Sequence, residues 1–464
     1  MADFLLEIGL EEVPARMIAG AEAELGRRVN DLLTRERLLD AGSKLTTYST
    51  PRRLAVLVEG VLLSQADTEE QLTGPSWKVA FKDGAPTKAA EAFAAKAGVD
   101  ISGLRNFVDP KVETAKHLVD PKVELAKHLD AKAELAKRID AKGMFEKIIN
   151  AKGEYLGARV VRKGRSATEL LSAELPKEAL SLYWAKNMYW RAAKPERFVR
   201  PVRWVVALLD AAIVPLEIAG IAAGNASRGH RVLHGEAPVI IDHATSYKES
   251  LRAAKVVVDV AERRHSIRKA LDAATRTVAG ARWREDEPLV ETVVHLTEWP
   301  SVVLGTFEQE YLALPEEVLV TVMRDHQKYF AVEDASGKLA PHFLAVLNTE
   351  ADEKGREVIR HGNARVLRSR FKDAQFFWDF DQKTPLAGRV ESLKAVTFQK
   401  ELGSYHWKTE ANLAVARALA AKVRGADVVF DEAALLKAVE LAKADLTTEL
   451  VKEFTELQGV IGGL

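Results

Sequence analysis

Short apolar runs alternate with amphipathic stretches as far as Asn348, and from Asp352 onward nearly every segment carries helical spacing. That change of period restricts the chain to an α+β architecture, several mixed units followed by a helical region. Residues 4–9 read as a buried strand, and Glu11-Glu12-Val13-Pro14 opens a helix to about residue 36. Residues 53–61 form another strand, and the Ala-rich stretch 88–96 is a helix closed by Gly98. Strands follow at 154–161, 202–209 and 239–241, with helices at 167–181 and 243–254. A short strand at 256–260 leads into a helix over 262–277. A further mixed unit predicts a helix ending near Trp299-Pro300, a strand at 302–307 and a helix from Pro315 to Gln327. A hairpin then joins 329–333 to 342–348 through Asp334-Ala335-Ser336-Gly337-Lys338.

Residues 108–153 repeat themselves. Asp109-Pro110-Lys111-Val112-Glu113 recurs as Asp120-Pro121-Lys122-Val123-Glu124, with looser copies from Asp130, Asp140 and Asn150. A period of about ten or eleven is roughly three helical turns. Each Asp-Pro pair suits an N-cap and first helical position, which predicts two amphipathic helices. Lys116, Lys127 and Lys137 each follow a glutamate by one turn, so a solvated arm competes with a nucleic-acid contact. The pattern also suits a tandem duplication or an engineered insert.

The chain has 464 residues and no cysteine, which excludes disulfides, thiolate nucleophiles and thiolate metal sites. Sixty-seven basic and sixty-seven acidic residues cancel, so any affinity for nucleic acid has to come from local patches. No window approaches the roughly 18 apolar residues that span a bilayer, and the start lacks a cationic leader. A cytoplasmic chain with no membrane partner is expected.

The densest patch lies between Arg324 and Phe380. On one helix, His361, Arg365, Arg368 and Lys372 share a face, and Leu367, Phe371, Ala374 and Trp378 share another. Arg370 is expected to pair with Asp373. A row of cations at this spacing suits phosphates along a nucleic-acid backbone, and a solvated surface has the same signature. Arg324 and Lys328, in Arg324-Asp325-His326-Gln327-Lys328-Tyr329-Phe330, join the row as candidate nucleic-acid contacts. Aromatics and cations also mix between Tyr183 and Arg203, where core packing and strand entry compete with an RNA surface. Ser227-Arg228-Gly229-His230-Arg231-Val232-Leu233-His234 reads as a basic turn in preference to a histidine metal pair. No phosphate-binding Gly-rich loop, nucleophile elbow or zinc-protease motif occurs. Asp325-His326 and Lys443-Ala444-Asp445 only partly match a His-Asp metal phosphohydrolase.

Ten further strings follow one another along the chain. They are Leu6-Glu7-Ile8-Gly9-Leu10-Glu11-Glu12-Val13-Pro14, Thr50-Pro51-Arg52-Arg53-Leu54-Ala55, Gly84-Ala85-Pro86-Thr87-Lys88-Ala89-Ala90, Phe198-Val199-Arg200-Pro201-Val202-Arg203-Trp204 and Arg228-Gly229-His230-Arg231. Thr297-Glu298-Trp299-Pro300, Asp325-His326-Gln327-Lys328-Tyr329-Phe330, Asp373-Ala374-Gln375-Phe376-Phe377, Phe398-Gln399-Lys400-Glu401-Leu402-Gly403 and Glu453-Phe454-Thr455-Glu456-Leu457-Gln458-Gly459 continue the series. Taken in order, these strings resemble the beta subunit family of the bacterial heterotetrameric glycyl-tRNA synthetase. The resemblance implies a non-catalytic partner of the alpha subunit, which uses ATP and Mg, in a two-alpha two-beta assembly that charges tRNA(Gly). It implies no catalytic residue, cofactor or metal in this chain. It also implies an all-helical His-Asp-like domain over 386–464, cut short before the family's anticodon-binding region. The remaining units are then an α+β unit over 1–105, the repeat insertion over 106–153, a mixed domain over 154–285 and the hairpin unit over 286–385. A fragment that binds the alpha subunit without supporting tRNA, and a metal phosphohydrolase, are the alternatives.

Overall fold

The computed structural model describes residues 1–100, 104, 144–193, 195–424 and 429–464. The two expected repeat helices lie outside the described residues.

The first sheet is organised by β1 (Ala2–Leu10), which carries α1 (Ala15–Arg35) after it. Its neighbours are β2 (Lys44–Thr50), β3 (Arg53–Val61) and β4 (Val202–Leu209), and β1 runs antiparallel to both β3 and β4. Seven strands form the sheet, in the order Glu217–Ile218, Ile221–Gly224, β4, β1, β3, β2, with Ala212–Ile213 on β4. Strand alternation assigns the two faces. Phe4, Leu6, Ile8 and Leu10 pack with Ile18, Leu25, Val29 and Leu33 of α1. Leu5 faces the other way, onto Leu57, Leu208, Tyr247 and Val256. Stretches 1–105 and 154–285 therefore share one sheet. Of the expected strand at 256–260, residues 256–259 join no ladder, with Val256, Val257 and Val258 buried, and Val260 begins the next helix.

A three-stranded sheet places Gly153–Arg162 between Thr68–Ser76 and Met144–Asn150. Residues 144–150 are thus a strand where the repeat predicted helix. Phe145, Ile148 and Ile149 favour extended chain, and Phe145 is buried against Leu156 and Ala158. The last loose copy, from Asn150, is a hairpin turn. The Asn150 carboxamide oxygen accepts from Lys152 N–H at 2.9 Å, and Gly153 sits at φ +132°.

The second main sheet has the order Arg282–Trp283, β6 (Tyr329–Glu333), β7 (Leu339–Leu347) and β5 (Ser301–Thr306). The β6–β7 hairpin turns where the sequence places it, with the Asp334 carboxylate accepting from Ser336 N–H and Lys338 N–H. Helices Val260–Thr275 and Glu287–Val294 cover one face of the sheet. On the other lies α2 (Glu353–Asp381), through Leu367, Phe371 and Ala374. Leu450, Phe454 and Leu457 from near the end of the chain complete that core. The C-terminal region is mostly helical, with Tyr405–Val423 and Glu432–Leu441, and it is not all-helical. Thr397–Gln399 pairs with Gly403–Ser404 around a tight turn at residues 400–402, which Gly403 closes at φ +99°.

Candidate nucleic-acid interface and an arginine-lined cleft

Asp352 caps α2 by accepting from Gly355 N–H at 2.8 Å, and the phase of the helix then fixes which side chains face solvent. His361, Arg365, Arg368 and Lys372 are all exposed. Their commitments differ. Arg368 pairs with Glu308 and shares a groove of ≈690 Å³ with His361, Arg360 and Glu357. Arg365 and Lys372 make no ion pair among the described residues. Phe376 and Phe380 are exposed, stacked on one another with ring centroids 6.4 Å apart. Arg370 reaches Glu453 at 3.4 Å instead of Asp373, because the C-terminal turn docks beside it.

Arg324 and Lys328 stand apart from that row. Arg324 pairs with Asp286 and Asp325, and Lys328 Nζ donates to the Asp325 carbonyl at 2.7 Å. The π-helical turn Val322–Gln327 and the left-handed Lys328, φ 58°, direct Arg324 onto this unit's own acids and Lys328 onto a backbone carbonyl. The aromatic cluster also divides. Trp184 is buried edge-on against Phe198 at 5.2 Å, whereas Tyr183 and Tyr189 are exposed. His230 is buried and its Nδ1 accepts from Leu233 N–H at 3.1 Å, so this ring shapes its own turn. Asp445 is buried and accepts from Gly459 N–H, a structural use. Among the described residues no group of three or more His, Asp or Glu is placed to hold a metal ion.

Register across the first sheet builds a second polar site. Gly9 lies between Arg53 and Trp204, Glu7 between Ala55 and Val206, and Leu5 between Leu57 and Leu208. One face thus grades from apolar, through a buried acid, to a charged row in three steps. Gly9 has to lack a side chain: a Cβ there would lie 2.0 Å from the Trp204 ring, which crosses over it. Trp204 Nε1 donates to Glu7 Oε1 at 2.9 Å, and the same oxygen accepts from Ser227 Oγ at 2.9 Å and Arg53 Nη1 at 3.2 Å. Arg53 is wholly buried.

Glu298 enters from the loop between Glu287–Val294 and β5. Its Oε1 accepts from Thr50 Oγ1 at 2.8 Å and Arg53 Nη2 at 3.0 Å, and its Oε2 accepts from Arg52 Nη2 at 2.6 Å. Asn348 fixes that loop by accepting from Glu298 N–H at 2.7 Å. Burial pushes the Glu298 carboxyl up, but the charges of Arg53 and Arg52 outweigh it and hold the group at about 2. Arg52 also donates to the Gly229 carbonyl at 2.8 Å.

Above this layer opens a cleft of ≈570 Å³, lined by four arginines (Arg52, Arg203, Arg228 and Arg231), with Trp204, Glu11 and Glu236. Arg203 and Arg231 share Glu11, at 2.9 and 3.6 Å, and Arg231 also lies 3.4 Å from Glu12. Arg228 donates to the Glu236 carbonyl at 2.8 Å. In the sequence Arg203 and Arg228 read as strand entry and basic turn. The sequence signal that could have found the site is Glu7, an acid in the middle of the apolar run from Phe4 to Leu10, which needs a buried partner.

The model of the glycyl-tRNA synthetase beta subunit matches residues 4–133 and 108–464. The chain belongs to that family. The two matched stretches overlap within the internal repeat. A glycine-tRNA ligase beta subunit from Acidobacterium capsulatum is 61% identical over 464 residues, which is 100% of this chain and 60% of the relative. Beta subunits from Trichlorobacter lovleyi and Magnetococcus marinus are 38% and 37% identical, over 99% and 100% of this chain. The chain therefore spans about 60% of the length of these relatives. Five strings that carry the family resemblance, at residues 6–14, 50–55, 198–204, 228–231 and 297–300, converge on the buried network and the cleft above it.

Proposed function

We propose that this chain is a non-catalytic, tRNA-supporting part of a glycine-tRNA ligase. In this reading it works in the cytoplasm with an alpha subunit that supplies the ATP and Mg chemistry, in a two-alpha two-beta assembly. The observation that carries the reading is the family match, which runs from residue 4 to residue 464. The relatives' own name is that of a ligase subunit. The surface of α2 supports the RNA role. Arg365 and Lys372 are exposed cations that make no ion pair among the described residues, and Phe376 and Phe380 are exposed rings near them on the same helix. Cations neutralise phosphates, and exposed rings stack on bases.

The test is charging of tRNA(Gly) by added alpha subunit with and without this chain, alongside tRNA binding at two salt concentrations. Arg365→Glu with Lys372→Glu is expected to weaken tRNA binding at least tenfold and to flatten its salt dependence. Unchanged affinity and salt slope would remove α2 from the interface. Copurification with the alpha subunit and no tRNA binding by the unaltered chain would reduce the role to assembly.

A further inference from the structure

We propose that the arginine-lined cleft binds the phosphate of a nucleotide, with Trp204 as the aromatic wall for its ring. The ligand is either one phosphodiester unit of RNA or a free nucleoside phosphate. The inference goes beyond the α2 reading and does not depend on it.

Three features argue for an anion. Arg203 has, among the described residues, only a shared carboxylate, because Glu11 also faces Arg231, which Glu12 serves as well. Arg228 makes no ion pair among the described residues and has only a backbone carbonyl as acceptor. Arg52 is held from below by Glu298 and by the Gly229 carbonyl, which fixes one wall before any ligand arrives. Guanidinium groups match phosphate through paired N–H donors, and a wall set in advance lowers the ordering cost of binding.

The ring has a place as well. Trp204 is half-buried and lines the cleft, and its bond to Glu7 fixes the indole. A volume of ≈570 Å³ accepts a mononucleotide and leaves no room for a folded domain. The lining therefore fits a phosphate joined to a planar ring better than a lone carboxylate, which would engage one arginine.

The experiment is calorimetric titration of the full chain at about 50 mM salt, where phosphate contacts are strong. The probes are inorganic phosphate, AMP and a short single-stranded RNA. Arg203→Gln with Arg228→Gln is expected to weaken at least one probe tenfold or more. Glu11→Gln is expected to tighten it several-fold, a gain that misfolding cannot mimic. AMP binding more tightly than phosphate shows the ring contributes, and RNA against AMP tells the two sources apart. Running the titrations in the Arg365→Glu, Lys372→Glu background isolates the cleft from α2, so failure of one reading is distinguishable from failure of the other. The proposal is overturned if no probe binds, if the arginine variant titrates like the unaltered chain, or if Glu11→Gln weakens binding.

Discussion

Replacing Glu298 by Gln removes one charge from the buried layer and nearly preserves the shape of the side chain. Among the described residues Arg52 then has no carboxylate, and Arg53 keeps only Glu7. The Glu298 carboxyl is held at about 2 against an ordinary 4.5. At about 1.4 kcal/mol per tenfold change in proton affinity, this corresponds to about 3 kcal/mol of stability at neutral pH. Loss of one member of a buried ion pair costs roughly 3–5 kcal/mol, which agrees. A chain of several cores opens in parts, so the local opening is the quantity to measure. Hydrogen exchange of peptides covering residues 50–53 and 298 is expected to be about a hundredfold faster in the variant at pH 7. The sign of the pH dependence follows from the lowered folded-state value. The stabilisation is complete above about 4.5 and is lost as the pH falls from there towards 2. The difference between the two proteins should therefore close across that window. A rise in exchange below fivefold at pH 7, or a gap that stays constant down to pH 3, would refute the reasoning.

Gly9→Ala places a methyl group within 2.0 Å of the Trp204 ring and drives the indole from Glu7. The expected loss is about 1–3 kcal/mol, read as a lower urea midpoint. Phe371→Ala empties a site where the ring meets Phe307 at 5.0 Å and Tyr311 at 5.5 Å. It should cost about 3–5 kcal/mol and speed amide exchange along α2 while leaving the first sheet protected.

Elements set by local period were legible in the sequence. The opening strand and helix, the β6–β7 hairpin and the two faces of α2 each follow from spacing and turn residues within a single segment. The same logic failed at residues 144–150, where a repeat that looked helical ends in a strand. There the pairing partner, Gly153–Arg162, outweighed the pattern inherited from upstream copies. Arg370 failed for a related reason. Asp373 lies at helical spacing, but Glu453 arrives from a distant segment. Arg324 and Lys328 were grouped with the basic row by sequence proximity, although a π-helical turn sends them to Asp286 and Asp325. The cleft needed the most distant information of all, since it joins four segments, residues 10–11, 52, 203–204 and 228–236, and its arginines look like surface charges when read one at a time.

The buried layer and the cleft rim do different work, and their charges show how. Below the cleft, Arg52 and Arg53 stand against Glu7 and Glu298, two of each sign, so that layer fastens the second unit to the first sheet and adds little net field. At the rim, Glu11 and Glu12 serve Arg203 and Arg231, and among the described residues Arg228 makes no ion pair and donates to a carbonyl. Any attraction for an anion must therefore come from the rim, and any rigidity from the layer beneath. Glu298→Gln should loosen the junction through lost support, whereas Glu11→Gln should leave the junction intact and raise the positive field. Opposite effects of the two substitutions on phosphate affinity would separate holding the cleft from filling it.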